Sequence, residues 1–162
     1  GNLRTNAAGA NLNREWLEPA MARSPEVYLV REHMLQVGVD LFLDAHGDEA
    51  LAYNFVAGAE GIVGFTPRLQ GLQDTFKASW LASCPDFQDK VNYGPSRPTQ
   101  ANPTVATNWV AQRFDCLSFT IEMPFKDNTD LPDVVTGWSG ARSKLFGAGV
   151  LLPVLAVLGQ LR

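Results

Sequence analysis

The sequence predicts an α/β fold, a mixed and largely parallel sheet flanked by helices, and the pattern of its apolar segments carries that reading. Short apolar runs at 39–45, 53–57 and 117–123 end at Gly, Pro or polar residues and read as strands. Longer stretches between them place apolar residues at helical spacing, as in Val27, Val30, Met34 and Val37. Strands that alternate with helices along the chain are the signature of layered α/β folds. In such sheets the chemistry collects at the carboxyl ends of the strands.

Each element has its own local grounds. Residues 1–16 are rich in Asn, Gly and Ala and read as a loop with turns. Ser24-Pro25-Glu26 supplies an N-cap followed by Pro at the first helical position, and Gly38 is placed to stop that helix after residue 37. The strand at 39–45 delivers His46-Gly47 just past its end. A helix is expected over 65–81, with Leu69, Leu72 and Phe76 on one face. The Pro-, Asn- and Gly-dense stretch at 84–103 reads as a long surface loop, a place where function concentrates. Residues 104–114 read as helix, 117–123 as a strand stopped by Pro124, and the chain from 132 onward as helix.

Composition narrows the function classes. A chain of 162 residues with 46% hydrophobic content suffices for one compact unit with a sizeable core. Charged residues make up 19%, and the net charge is -4 with a pI near 5.1, which argues against a nucleic-acid partner. The 2 cysteines, Cys84 and Cys116, form no CxxC pattern, so reduced thiols and a cytoplasmic location are expected. Gly1-Asn2-Leu3-Arg4 lacks the apolar core of a signal peptide. The tract 145–159 is short for a membrane span and interrupted by Pro153, so it reads as a buried helix, and no membrane partner is expected.

Three sequence neighbourhoods could carry chemistry. Asn13-Arg14 suits a carboxylate, because arginine offers a planar fork and the neighbouring amide a neutral donor. By itself the pair also reads as a solvated turn. His46 follows an apolar strand into a Gly-containing turn, with Asp44 and Asp48 near enough to fix its tautomer. A hydrogen-bonded structural histidine reads the same way. His46-Gly-Asp-Glu49 has the form HxxE, but one His and one Glu leave a catalytic zinc short of its usual ligands. Strand alternation sets Thr120 and Glu122 on one face and Phe119 and Ile121 on the other. A carboxylate at the end of such a strand needs a partner or a task, and an apolar setting raises its pKa toward that of a general base.

In this order the motifs resemble the M14 zinc metallocarboxypeptidases, in their bacterial and cytosolic branch. Gly1-Asn2-Leu3-Arg4 and Leu12-Asn13-Arg14-Glu15-Trp16 match the segments that shape the family's substrate pocket. Asp44-Ala45-His46-Gly47 matches its strand-end zinc ligand, and Thr120-Ile121-Glu122 its catalytic glutamate. The resemblance implies that Asn13 and Arg14 hold the C-terminal carboxylate of a peptide or protein. It implies that Arg4 polarises the scissile carbonyl, that His46 binds one Zn2+, and that Glu122 is the general base acting on water. The family often adds a mobile loop carrying a tyrosine over the pocket, for which Tyr93 is the nearest candidate, although a residue there also reads as a surface aromatic.

The chain departs from the family at two places. Asn11 stands where the family frequently has Asp. The upstream HxxE zinc motif is absent, and the only other histidine, His33, falls on the helix predicted at 25–37. The whole chain is thus expected to be the C-terminal part of a single catalytic domain, with the N-terminal half of that domain as its missing partner. Alone, it is expected neither to bind catalytic zinc tightly nor to hydrolyse peptides. Two other readings remain open from sequence: a zinc amidohydrolase acting on N-acyl amino acids, and a non-catalytic module with a degenerate pocket.

Overall fold

The computed structural model describes residues 4–94 and 97–161; the Gly1-Asn2-Leu3 part of the first motif lies outside them. A single 3-10 turn at Leu12–Arg14 precedes helix α1 (Pro25–Val37), strand β1 (Leu41–Asp48), strand β2 (Phe55–Ala57), helix α2 (Pro67–Ser83), helix α3 (Ala106–Phe114), strand β3 (Leu117–Pro124), helix α4 (Gly140–Gly149) and helix α5 (Leu151–Leu158). The sheet runs β1-β3-β2, with β1 parallel and β2 antiparallel to β3. It is therefore mixed, as expected, and its longer pairing is the parallel one.

Period-2 alternation decides which side of β3 meets which helices. Leu117, Phe119 and Ile121 enter a core with Leu72, Phe76 and Trp80 of α2, closed by Phe146 and Val157. The opposite face is polar and lies under α3. There the Ser118 hydroxyl donates to the Thr107 carbonyl at 2.9 Å, and the Thr107 and Thr120 hydroxyls bond each other at 2.7 Å. Phe42 of β1 joins a second cluster with Trp16, Val110 and Cys116 on this side. Cys84 belongs to the first core and Cys116 to the second.

The structure corrects four expectations. Strand β1 continues through His46 to Asp48, because its parallel register with β3 runs on to Asp48↔Pro124. His46 is thus a residue within the strand rather than one beyond it. The passage through Gly47 depends on glycine, since a Cβ there would lie 2.5 Å from the Phe125 ring. The strand expected at 53–57 is limited to Phe55–Ala57, because Asn54 instead bridges to Phe87 and its side chain is spent on the Asp86 carbonyl.

Helix does not begin at 132. The Asp127 carboxylate accepts from the Asp133 N–H at 3.0 Å, and Asp133 in turn accepts from the Val135 and Thr136 N–H groups. These local bonds give the backbone a turn conformation that competes with helix. Gly137 (φ 62°) ends the turn, and α4 starts only after Ser139, whose hydroxyl accepts from the Arg142 N–H.

Finally, the tract read as a buried helix is helical but mostly exposed. Among the described residues Gly140–Leu158 is 19 residues of mean hydropathy 1.6, long and apolar enough by length and composition to cross a membrane, with 17% of it buried. Only Phe146, Pro153 and Val157 turn fully inward, and Leu145, Leu151 and Leu155 stay exposed, because α5 packs a single face against α2.

Arg142 staples this end of the fold. Its Nε donates to both Asp86 oxygens at 3.1 and 3.2 Å, its Nη1 reaches Asp127 at 3.3 Å, and its Nη2 donates to the Leu131 carbonyl. Replacing it by Ala leaves Asp86 and Asp127 facing each other without their shared cation. Hydrogen bonds to charged groups of this kind contribute about 1.5–3 kcal/mol, so Arg142→Ala is expected to lower the melting temperature of the full-length protein by roughly 2–4 °C. Calorimetry of the full-length protein checks this.

Candidate active site

The register of the parallel pair builds the centre of the site. Asp44, His46 and Asp48 share one face of β1, and Thr120 and Glu122 share the same face of β3, because residues two apart along a strand point the same way. Pairing sets Asp44 beside Thr120 and His46 beside Glu122. The two strands thereby carry an imidazole and a carboxylate into adjacent positions.

Within this row the two aspartates divide the work. His46 Nε2 lies 2.9 Å from Asp44 Oδ2, which assigns the Nε2–H to that bond. His46 Nδ1 then presents its lone pair toward Glu122, whose Oε1 is 3.9 Å away, beyond hydrogen-bond distance. The hydrogen bond that His46 donates to Asp44 holds its pKa above the ordinary value, against the opposing effects of burial and of Arg4. Asp48 does not touch the imidazole. Its Oδ1 accepts the Ala50 and Leu51 N–H groups at 2.6 and 2.8 Å, and its Oδ2 accepts the Tyr93 hydroxyl at 2.6 Å.

Glu122 is 5% exposed, and its Oε2 has no hydrogen-bond partner among the described residues. Burial pushes its pKa up, with Asp48 and Asp44 adding to the rise, while Tyr93 and His46 oppose it. The Tyr93 oxygen sits 2.8 Å from Glu122 Oε1 as well as 2.6 Å from Asp48. One phenol proton cannot serve two carboxylates. Burial works against the charge of Asp48, but the bonds from Tyr93, Leu51 and Ala50 outweigh it and hold its pKa below the usual range. The phenol therefore donates to one of the two carboxylates at a time, and the shorter of the two distances is the one to Asp48. Burial and the two carboxylates push the phenol's own pKa up, so it stays neutral.

The basic residues approach from the N-terminal loop. Thr5 and Asn11 form an antiparallel bridge, and the Leu12 N–H donates to the Arg4 carbonyl, so the loop folds back and brings Arg4 near the 3-10 turn. Asn13 Oδ1 accepts the Ala106 N–H at 2.8 Å, capping the start of α3. That bond consumes the acceptor end of the amide and leaves its Nδ2 donors for a ligand. Since Thr107 of the same helix bonds Thr120 of β3, Asn13 is mechanically tied to the strand that carries Glu122. The Arg14 guanidinium folds back on the Asn13 carbonyl, Nη1 to oxygen 2.5 Å. At Asn11, where the resembled family often has Asp, Oδ1 is buried without a bonding partner among the described residues.

Arg4, Asn13, Arg14, His46, Tyr93 and Glu122 all line one cavity of about 780 Å³, within the range of small-ligand pockets. The structure thus brings together every candidate site residue of the sequence. It also adds some that sequence reasoning missed: Asp48 as the acceptor for Tyr93, Thr107 and Thr120 as the strut, and a Glu60–Lys77 pair, 3.5 Å apart, on the cavity wall. Of these, the sequence offered Asp48 only as an acidic neighbour of His46 and Thr120 only as a residue on the Glu122 face. Glu49 of the HxxE string is exposed, and among the described residues no group of three or more His, Cys, Asp or Glu could hold a metal ion. His33 is exposed on α1, away from this cavity.

No family model matches the chain. A metallo-carboxypeptidase of Pseudomonas aeruginosa, solved in complex with (2-guanidinoethylmercapto)succinic acid, is 54% identical and superposes at a TM-score of 0.97 over 100% of this chain and 43% of its own. This chain matches a portion of the metallo-carboxypeptidases. A metallo-carboxypeptidase of Burkholderia cenocepacia gives 46% identity and a TM-score of 0.94, covering 99% of this chain and 42% of that one. An uncharacterized protein of Zymomonas mobilis is 47% identical over 161 residues, again spanning 42% of its length. The chain therefore spans less than half the length of each of these relatives.

Proposed function

We propose that this chain is part of a zinc-dependent metallocarboxypeptidase of the M14 type, which hydrolyses the C-terminal peptide bond of peptides or proteins. The observation that carries the reading is the in-register pair His46↔Glu122, set in one cavity with Asn13, Arg14 and Arg4. A metal ligand, a buried carboxylate with a raised pKa, and an amide-guanidinium pair are the parts that such a hydrolysis requires. The succinic acid derivative in the Pseudomonas structure carries carboxylates, the group for which Asn13 and Arg14 are suited.

His46 fits a metal. Asp44 fixes its tautomer so that Nδ1 faces the cavity, the arrangement in which a carboxylate orients a ligating imidazole. A zinc ion held by His46 and by ligands outside this segment would supply Lewis acidity to the scissile carbonyl and to water. The remaining work falls to the chain's own groups. Arg14 and the Asn13 Nδ2 donors bind the terminal carboxylate and so fix which peptide bond lies over Glu122. Arg4 places positive charge where the carbonyl oxygen gains negative charge. Glu122 Oε2, buried and without a partner, accepts the proton of the attacking water and returns it to the departing amine.

Zinc titration tests the metal half of the proposal. The full-length protein is expected to take up one zinc tightly, and this segment alone to bind it weakly and to hydrolyse nothing. Asp44→Asn should weaken zinc binding about 10- to 100-fold through loss of tautomer control, and His46→Ala should weaken it further. Competition with a chromophoric chelator reads both; wild-type zinc affinity in His46→Ala would remove His46 from the ligand set.

A further inference from the structure

Tyr93 is held at the cavity from several independent directions. Its loop is fastened to the strand region by Gln88, whose Nε2 donates to the Asn54 and Val91 carbonyls while its Oε1 accepts the Lys90 and Val91 N–H groups. The Asn92 side chain accepts the Gly94 N–H and closes the turn. The phenol ring meets Phe55 edge-on at 5.0 Å, and Phe55, fully buried, pairs with Glu122 on the neighbouring strand. Although the residue as a whole is 59% exposed, its hydroxyl reaches inward between two carboxylates that are 5% and 6% exposed.

Asp48 is the acceptor that settles where this hydroxyl rests. It is itself rigid, because its other oxygen is fixed by two main-chain N–H groups and because β1 carries it in register with β3. We propose that Asp48 is a positioning residue for the hydrolysis, pinning Tyr93 as a fixed wall beside Glu122 in place of a tyrosine on a mobile loop. This rests on the carboxypeptidase reading of the site. Asp48 need not touch substrate; it acts by keeping the phenol at hydrogen-bond distance from the catalytic carboxylate. A side chain that loses such support misplaces its partner by an amount that chemistry is sensitive to.

The test uses the full-length, zinc-loaded protein and a double-mutant cycle. Asp48→Asn keeps an oxygen for the Ala50 and Leu51 N–H groups but offers an amide where the phenol proton was accepted; Asp48→Ala removes both functions. Each is expected to lower kcat about 10- to 100-fold, with KM changed by less than about twofold, since neither touches the carboxylate clamp. In a Tyr93→Phe background the same substitutions should have an effect of no more than about twofold, because the group through which Asp48 acts is already gone. An equal loss in both backgrounds would overturn the proposal.

A second readout does not depend on activity. In protein labelled with 3-fluorotyrosine, the Tyr93 fluorine signal, assigned by its disappearance in Tyr93→Phe, should move in both Asp48 variants. A Tyr93 signal that stays in place in both would overturn the anchoring. Full hydrolysis by Glu122→Gln would instead overturn the carboxypeptidase reading beneath it, while the fluorine result still reports on the anchor.

Discussion

Glu122→Gln in the full-length, zinc-loaded protein should lower kcat by about 10²- to 10⁴-fold, the contribution of a positioned general base, and leave KM nearly unchanged. Glutamine keeps the shape and the contact to Tyr93 but cannot hold the proton of the attacking water. The same substitution should stabilise the metal-free protein near neutral pH. Burial favours the neutral form of Glu122 and raises its folded-state pKa above the ordinary 4.5. The folded state is therefore undisturbed below that ordinary value and loses stability as pH rises through the interval between the unfolded and folded pKa values. Gln has no such dependence. The difference in melting temperature between variant and wild type should be near zero at acidic pH and grow in the variant's favour toward neutral pH. Thermal scans of the apo protein across that range decide the sign, and lower stability of the variant at neutral pH would contradict it.

Arg14→Lys should raise KM for a peptide with a free C-terminus about 10- to 100-fold, with a much smaller change in kcat. The substitution conserves charge and removes the planar fork, so it isolates bidentate geometry from simple attraction. Arg14 is well placed for this separation. Among the described residues its guanidinium bonds the neighbouring Asn13 carbonyl, in an exposed turn, so that no core packing is lost with it. Asn13 is the less clean probe, because its Oδ1 caps α3 and its removal would disturb the strut to β3. An unchanged KM in Arg14→Lys would show that the carboxylate is held elsewhere.

Where the sequence was legible, local physics set the outcome. Pro25 and Gly38 bracket α1 at Pro25–Val37, since a first-turn proline and a stop residue act within a turn or two of themselves, whereas the Ser24 hydroxyl makes no capping bond and meets Ala20 and Glu15 instead. The alternation in 117–123 announced a strand with a polar and an apolar face, and β3 has both. At 132–139 the same kind of local physics was misread. Asp127 and Asp133 tie up backbone N–H groups that a helix would need, and a count of apolar residues does not register such bonds. The exposed face of α5 escaped notice for a different reason, because apolar content measures what a segment can bury and not what it meets.

The candidate site shows a similar division. Asp44, His46 and Asp48 stand at alternate positions, but the strand expected at 39–45 stops short of the last two, and the pairing with β3 is what gives all three a common face. Which aspartate serves the imidazole does not follow. It depends on Tyr93, distant in sequence, taking Asp48 for itself. Likewise, Asn13 reads as a donor in its own loop, but only the long-range bond to Ala106 determines which end of its amide is free. Sequence therefore pointed to the residue types and their order, whereas tertiary contacts determined which groups each of them bonds.

The central claim is that Asn13, Arg14, His46 and Glu122 belong to a site that recognises a chain terminus and cuts beside it. Mass spectrometry of one peptide offered to the full-length, zinc-loaded protein in two forms, with a free C-terminal carboxylate and with a C-terminal amide, tests this most directly. The account predicts removal of single residues from the free terminus and no cleavage of the amide. Equal cleavage of both forms, or cuts in the interior of the peptide, would contradict it.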